Sequence, residues 1–435
     1  MQVALRDYFT DRRYPESYYA ASAGTPEPRP SLTGMIDTEI CVIGAGFTGL
    51  SAGLHLAGDH DVTILEAARI GWGASGRNGG QIINGYSGDI RSIAATLGPA
   101  AGELARSMIP EGVNIIREFI ARYGIECELR PGSLALACTG AQMEKLRAWM
   151  NEWEESGVEG LEILDRERLS AHVGSERYQG GMIDHTGGHL HPLKLALGEA
   201  DSFEFLGGRL FELSTVRSFE IGDGTAIVRT DAGEVRCRTL ILCGNAYLES
   251  PGHEFSQLIM PVHSEIIATE PLDDGLARQL MPGGAAAYDL RFINDYFRLS
   301  ADRRMLFGSS AWYGRRGNPD IGTVPTQHMI KVFPQLADVR IDYAWSGMFA
   351  VTRSRLPQLG KLADNLFYAR AYSGHGVNMS HLFGRLLAEA VDGDDERADV
   401  FARMPHGKFP GGSGFREALT TLAARWYLLR DNLGI

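Results

Sequence analysis

The run Thr38-Glu39-Ile40-Cys41-Val42-Ile43-Gly44-Ala45-Gly46-Phe47-Thr48-Gly49-Leu50, with Val62-Thr63-Ile64-Leu65-Glu66 after it, decides the fold class. It reads in order as strand, glycine turn, helix, strand and acid, the pattern of a dinucleotide-binding βαβ unit. Gly44 permits the tight turn, Gly46 lets backbone approach a pyrophosphate, and Gly49 lets the helix lie close on the strand. A helix starting near Phe47 and Thr48 points unpaired N–H groups and its positive dipole end at the phosphates. Glu66 stands twenty residues beyond Gly46, where a carboxylate accepts hydrogen bonds from a ribose diol.

The rest of the chain bounds what this unit can serve. At 435 residues it exceeds one simple core and predicts two closely packed domains. A formal net charge of −12 offers no dense basic face for nucleic acid and is compatible with a cationic substrate. No apolar stretch approaches the length of a membrane span, and Met1 to Tyr8 lacks the apolar run of a signal peptide. The five cysteines (Cys41, Cys127, Cys138, Cys237, Cys243) are odd in number and scattered. Cys41 and Cys243 fall in apolar runs as buried free thiols, so a reducing cytoplasm is the expected location.

Along the chain, Ile70 to Gln81 has too many glycines for a regular element and reads as a loop that lies flat against something planar or anionic. Helical patterning runs from Asp89 to about Tyr123 and from Thr139 to Ser156, with a turn into a strand at Arg130 to Ala137 between them. Gly181 to Pro192 reads as a loop before a helix at Leu193 to Leu206. Its histidines His185, His189 and His191 have no second cluster of acids or cysteines to complete a coordination set, so no metal is expected. Thr239 to Cys243 reads as a buried parallel strand returning to the nucleotide sheet, and Pro261 to Gly308 as a mixed or antiparallel second sheet. The expected architecture is therefore α/β (α+β overall). A Rossmann-like FAD-binding domain is assembled from residues 34–90, 160–255 and 345–395. A substrate domain takes 91–159 and 256–344, and a tail at 396–435 packs on the body.

Leu366 to Met379 reads as a strand entering a second glycine turn, with a helix from Ser380 to Val391. That second turn separates a flavin from a nicotinamide reading. FAD is long enough to need a distant anchor for its isoalloxazine ring, and a helix start there favours negative charge on the reduced ring by about 0.3–1 kcal/mol.

Taken with Ala74 to Gln81, Cys243 to Leu248 and Tyr372 to Val377, the fingerprint resembles the D-amino-acid-oxidase-type flavoproteins, and within them the gamma-glutamylputrescine-oxidising branch. Further matches at Ser17 to Ser22, Asp184 to Pro192, Phe333 to Leu336 and Phe409 to Gly412 extend the resemblance over nearly the whole chain. It implies an FAD enzyme that oxidises the amine of a gamma-glutamylated polyamine to an imine and then an aldehyde, with O2 reduced to hydrogen peroxide. Ser354 stands where many amino-acid oxidases carry aspartate, which favours the amine branch. A D-, L- or N-methyl amino-acid oxidase or dehydrogenase of the same family is the alternative. A flavin-binding protein acting through a partner is a further reading, but nothing in the sequence marks a partner surface.

The cofactor-binding set is Gly44, Gly46, Phe47, Thr48, Gly49, Glu66, Ala67, Ser75, Arg77, Asn78, Gly79, Gly80, Gln81, Val216, Gly244, Asn245, Gly374, His375, Gly376, Val377 and Asn378. Arg77 to Gln81 are expected at the ring system and its N5 edge, and Gly374 to Asn378 at the opposite pyrimidine edge. His375 and Gln81 are the catalytic candidates, with His375 acting through its charge or in oxygen reduction. A turn histidine bonded to backbone is an equal reading of the same residue. His263, Glu265, Tyr288, Tyr296, Trp345 and Phe349 are the substrate candidates, because aromatic walls desolvate an alkylamine and hold its cation. Each of them also reads as a core residue of the second sheet. Arg298 or Arg355 would pair with a substrate carboxylate, and the sequence does not choose between them.

Overall fold

Apolar runs without polar interruption make strands buried on both faces, and three of them lie side by side in this molecule. Ile40–Ile43 and Val62–Leu65 are buried at every residue, and Thr239–Leu242 at all but its first. In the computed structural model they form the middle of a six-stranded sheet ordered Gln358–Ala363, Leu366–Arg370, Thr239–Leu242, Ile40–Ile43, Val62–Leu65, Arg209–Phe211. All neighbours are parallel except the Gln358–Ala363 edge strand. The structure describes residues 1–5, 7, 11–24, 26–248, 254–410, 415, 417–424 and 426.

Helices Phe47–Leu56, Pro192–Phe205 and Gly376–Val391 pack on this sheet and on one another. In the last of them Leu382, Phe383, Leu386, Leu387 and Ala390 recur with helical spacing and are all buried. The first turn is built as its glycines require. Gly44 has φ +109°, a region L side chains rarely enter, and a Cβ on Gly49 would stand 2.0 Å from the Gly44 carbonyl oxygen. The helix therefore approaches the strand as only glycine allows.

A second, nine-stranded mixed sheet runs Ile341–Val351, Met260–Thr269, Met305–Tyr313, Tyr296–Leu299, Ala286–Asp289, Arg130–Ala137, Gly180–His189, Gln81–Ile82, with Leu161–Asp165 alongside Gly180–His189. Behind it Phe297 and Phe307 stack at 5.5 Å and Phe333 meets Phe297 edge-on at 5.1 Å. A smaller five-stranded sheet of Gln2–Ala4, Ser218–Ile221, Ala226–Arg229, Gly233–Cys237 and Gly34–Asp37 flanks the nucleotide sheet. The architecture is a Rossmann-like nucleotide fold joined to a largely antiparallel second sheet.

The structure departs from the sequence reading at several places. Gly180–His189 is a ten-residue strand, not a loop, because its glycines lie flat against backbone of neighbouring strands. With Leu161–Asp165 it belongs to the nine-stranded sheet, so sheet membership does not follow the division at residue 160. Ile341–Val351 likewise crosses the division at 345. The helical stretch from 89 to 123 is three helices, Arg91–Leu97, Pro99–Ser107 and Glu111–Tyr123, broken at Gly98 and Pro110. The late helix starts at Gly376 rather than Ser380. Of the expected tail, Glu396–Ala402 packs through Ala398, Val400 and Phe401, whose ring lies 4.7 Å from Phe383. Positions 411–414, 416, 425 and 427–435 of that tail lie outside the described residues. Among the described residues no helix is long and apolar enough to cross a membrane.

Candidate active site

A cavity of about 770 Å³ runs from the turn after Ile40–Ile43 to the face of the nine-stranded sheet. At its nucleotide end the Glu66 carboxylate accepts from the backbone N–H of Ala45 at 2.8 Å and of Ala68 at 2.9 Å. Burial, with Glu212 nearby, pushes this carboxyl up to about 7. Ala67 and Val216 line the same end. At the start of helix Phe47–Leu56 the Phe47 N–H donates to the Ser75 hydroxyl at 2.9 Å. The Thr48 hydroxyl and the Tyr372 hydroxyl are 2.7 Å apart, tying this helix to the segment before Gly376–Val391.

The middle of the cavity is walled by the loop from Trp72 to Gln81 and by Gly374 to Asn378. Arg77 is held by Nε donating to the Trp72 carbonyl at 2.6 Å and Nη1 to Ser346 at 3.3 Å, with its guanidinium over the Trp72 ring at 4.2 Å. Asn78 spends its side chain inside the loop, donating to Ala74 and Ser75 and accepting from Gly80 N–H at 2.7 Å. Across the cavity His375 caps helix Gly376–Val391 without a side-chain hydrogen bond, which leaves the helix start open to a ligand. Burial first, and Arg355 second, push the His375 imidazole down to about 4 in the cofactor-free chain, which favours its neutral form.

Two helix starts, the Glu66 carboxylate and a second loop across from them share one cavity. That donor set fits FAD: Glu66, Ala67 and Val216 for the adenosine half, Gly44 to Thr48 for the pyrophosphate, and Arg77 to Gln81 with Gly374 to Asn378 for the ring system. Gly244 and Asn245 line the cavity between these groups, with Asn245 Oδ1 accepting from Ala371 N–H at 3.0 Å.

Beyond the loop the cavity enters the second sheet, where Tyr288, Tyr296, Phe349, Ile266 and Leu290 form an aromatic and aliphatic wall. The Tyr296 hydroxyl lies 3.1 Å from Ser264 Oγ. Gln81 lines the cavity, but its Nε2 donates to the Ala287 carbonyl at 2.8 Å, which makes it a link between loop and sheet. Arg355 lines the same end with its guanidinium 5.3 Å from the Phe292 ring, and it pairs with no carboxylate among the described residues.

Several predicted residues lie elsewhere. Gly49 and Gly80 pack backbone behind the cavity wall, a Cβ on Gly80 meeting the Leu190 carbonyl at 2.1 Å. Arg298 is buried and donates to the Gly79 carbonyl at 2.7 Å and the Leu190 carbonyl at 2.8 Å, so it braces the loop and cannot meet substrate. Glu265 is fully buried and accepts from Gly322 N–H at 3.1 Å, because its strand turns that side chain to the far side of the sheet. His263 and Trp345 line a separate cavity of about 460 Å³ that shares only Trp72, Arg77 and Tyr247 with the first. Trp345 Nε1 donates to the Arg77 carbonyl at 3.0 Å, a bracing contact.

The sequence reading missed Trp72, Tyr247, Tyr372, Lys145, Trp149 and the segment Leu290 to Asn294, all on the cavity wall. Tyr247 and Tyr372 adjoin the quoted glycine turns and were within reach of that signal. Lys145 and Trp149 share one helix face at spacing four, which resembles any surface helix. Leu290 to Asn294 carries no pattern; only the pairing of Ala286–Asp289 with Tyr296–Leu299 brings it to the site.

Residues 39–390 match the family model described as DAO, FAD dependent oxidoreductase. The chain is 46% identical to the Gamma-glutamylputrescine oxidoreductase of Escherichia coli (strain K12), covering 96% of this chain and 99% of that protein. It is 37% identical to a Probable oxidoreductase OrdL of Haemophilus influenzae, over 97% of this chain and 99% of that one. Among solved structures, glycine oxidase from Geobacillus kaustophilus superposes with a TM-score of 0.65 at 22% identity, covering 82% of this chain and 95% of the other. L-proline dehydrogenase from P. horikoshii gives 0.68 at 20% identity, covering 83% and 94%. At these identities the two structures speak for the fold alone.

Proposed function

The chain belongs to the DAO family of FAD-dependent oxidoreductases, with FAD as its cofactor, and from that premise we propose that it oxidises the terminal amine of gamma-glutamylputrescine or a closely related gamma-glutamylated polyamine. The observation that carries this reading is the chamber beyond the glycine-rich loop, apolar and aromatic along its wall, with the carboxylate-free guanidinium of Arg355 on the same surface. A substrate with a neutral alkylamine at one end and a carboxylate at the other matches both features. The 46% identical relative, named for gamma-glutamylputrescine, supports the same substrate class.

Bound FAD would supply the two-electron acceptor for the C–H bond next to the amine. The chain's own residues do the rest. Tyr288, Tyr296 and Phe349 exclude water, and the lost hydration lowers the amine's pKa, so the neutral form, whose lone pair assists hydride loss, is favoured in the chamber. Arg355 holds the far carboxylate and so fixes how deep the amine reaches. The uncapped start of helix Gly376–Val391 and the Arg77 guanidinium place positive potential along the walls of the ring site, where two-electron reduction adds negative charge. Neutral His375 serves as a hydrogen-bonding group there. The amine loses two electrons and two protons to become an imine, water converts the imine to aldehyde and ammonia, and O2 takes up the electrons and protons as hydrogen peroxide.

The test is anaerobic mixing of the yellow protein with gamma-glutamylputrescine while flavin absorbance is followed. Rapid bleaching, reversed by air with peroxide release, is expected. Bleaching by free amino acids alone would replace this substrate class with the amino-acid alternative, and bleaching that air fails to reverse would make the enzyme a dehydrogenase.

A further inference from the structure

The geometry points to a receptor for the amino-acid head of the substrate at the cavity mouth, made by Lys145 and Trp149 with Arg355, that admits carboxylate-bearing amines and rejects free di- and polyamines. It rests on the amine-oxidation reading and adds to it what the enzyme requires at the non-reacting end.

Helix Gly140–Glu155 reaches the cavity through Lys145 and Trp149, one turn apart on one face. Its companion Trp153 is buried and stacks parallel to Trp149 with ring centres 6.2 Å apart. That stack fixes the Trp149 ring, and the Lys145 ammonium lies 4.7 Å from its centre. Lys145 is exposed and Trp149 half-buried, whereas Tyr288 at the other end of the chamber is buried, so the pair marks the entrance.

The charges on this part of the wall are unbalanced. Arg291 is neutralised by Asp289 and Asp295, and Asp289 is in turn consumed by Arg291 Nε at 2.7 Å and by backbone donors of Arg291 and Asp295. Neither Lys145 nor Arg355 forms an ion pair with a carboxylate among the described residues. Asp89, the carboxylate that acts on Lys145 electrostatically, is itself held by Arg91 at 2.7 and 2.9 Å, so two cations without an ion-pair partner line one cavity whose nearby acids are already occupied. A free diamine brings a second positive charge to this place, and like charges brought together select against it. Acylation by a gamma-glutamyl group replaces that lone charge with a neutral amide and a net-neutral zwitterionic head, whose carboxylate can meet the two cations while its α-ammonium turns away from them. The Trp149 face gives the amide and its methylenes a flat surface to lie on.

The experiment uses the holoenzyme and gamma-glutamyl-n-butylamide, which keeps the head and the chain but lacks the terminal amine. Binding is read by calorimetry and by the perturbation of flavin absorbance. For this half-exposed contact we expect Kd to rise about threefold in Lys145→Met and roughly tenfold or more in Lys145→Glu. Wild-type Kd should rise with salt, with a weaker dependence in Lys145→Glu. Unchanged melting temperatures would show that the variants fold. Kd values within twofold of one another in all three proteins, or no binding by wild type, overturn the proposal. Turnover of gamma-glutamylputrescine is scored separately. If it fails while the butylamide binds with the expected Lys145 dependence, the head receptor stands and the reaction assignment falls.

Discussion

Substituting Glu66 with glutamine removes a proton-binding group from the nucleotide end of the site, and the structure sets the size of the effect. Burial, with Glu212 adding a like charge, moves this carboxyl from its ordinary 4.5 up to about 7 in the cofactor-free chain, against the pull of the backbone N–H groups that bond it. Between those two values the folded chain keeps a proton the unfolded chain has shed. Stability of the cofactor-free protein therefore falls as pH rises from about 4.5 to about 7 and levels off above, a total cost on the order of 3 kcal/mol. A ribose diol donates to the ionised carboxylate, so binding of FAD draws the equilibrium the other way. Affinity should rise by about tenfold per pH unit up to about 7 and then flatten. Stripped protein titrated with FAD between about pH 5.5 and 8.5, by quenching of flavin fluorescence, measures this directly, with melting temperature followed in parallel. In Glu66→Gln both pH dependences should shrink to whatever other groups contribute. A wild-type affinity that is flat across this range, or a variant with the wild-type slope, would refute the assignment of Glu66 to the ribose.

Arg355→Ala should raise KM for gamma-glutamylputrescine by roughly 10- to 100-fold with a smaller change in kcat, as loss of a charge-assisted carboxylate contact implies. Arg298→Ala should leave KM near wild type in whatever protein folds but lower the melting temperature and flavin retention, and a selective KM effect there would reverse the two assignments. Gly49→Ala places a Cβ 2.0 Å from the Gly44 carbonyl oxygen, so the helix must shift and purified protein should be largely colourless; full flavin occupancy would mean the turn adjusts more freely than the packing implies. His375→Gln should change the height of the kcat profile but not its shape between about pH 6 and 9, because the imidazole is already neutral there. An inflection present in wild type and absent in the variant would show that a charged His375 does enter the cycle.

The nucleotide half was legible because local chemistry dictates it. Gly44, Gly49 and Glu66 each answer a constraint acting over one turn or one strand, and the apolar runs at 40–43, 62–65 and 239–242 have no stable place but the centre of a sheet. The second glycine turn was readable for the same reason, although its helix begins at Gly376, four residues before the sequence suggested. The substrate end was legible only in part. Tyr288, Tyr296 and Phe349 reach the cavity, whereas His263, Glu265 and Trp345 come from the same kind of strand and do not. Strand side chains alternate between faces, and a bulge between His263 and Glu265 shifts the register in a way composition does not announce. Choosing Arg355 over Arg298 needed tertiary contacts, since what separates them is the occupation of Arg298 by the Gly79 and Leu190 carbonyls.

The order of the six-stranded sheet has a consequence for how the protein is made. Ile40–Ile43 leaves the ribosome early, yet its partner Thr239–Leu242 follows about two hundred residues later and Leu366–Arg370 later still. The hydroxyl contact between Thr48 and Tyr372 spans 324 positions of chain. A nascent chain that has emitted the nucleotide-binding turn therefore holds exposed apolar strands and only half a flavin site for most of its synthesis. Flavin capture belongs to the end of translation, and a cell short of free FAD at that moment would accumulate finished but colourless polypeptide.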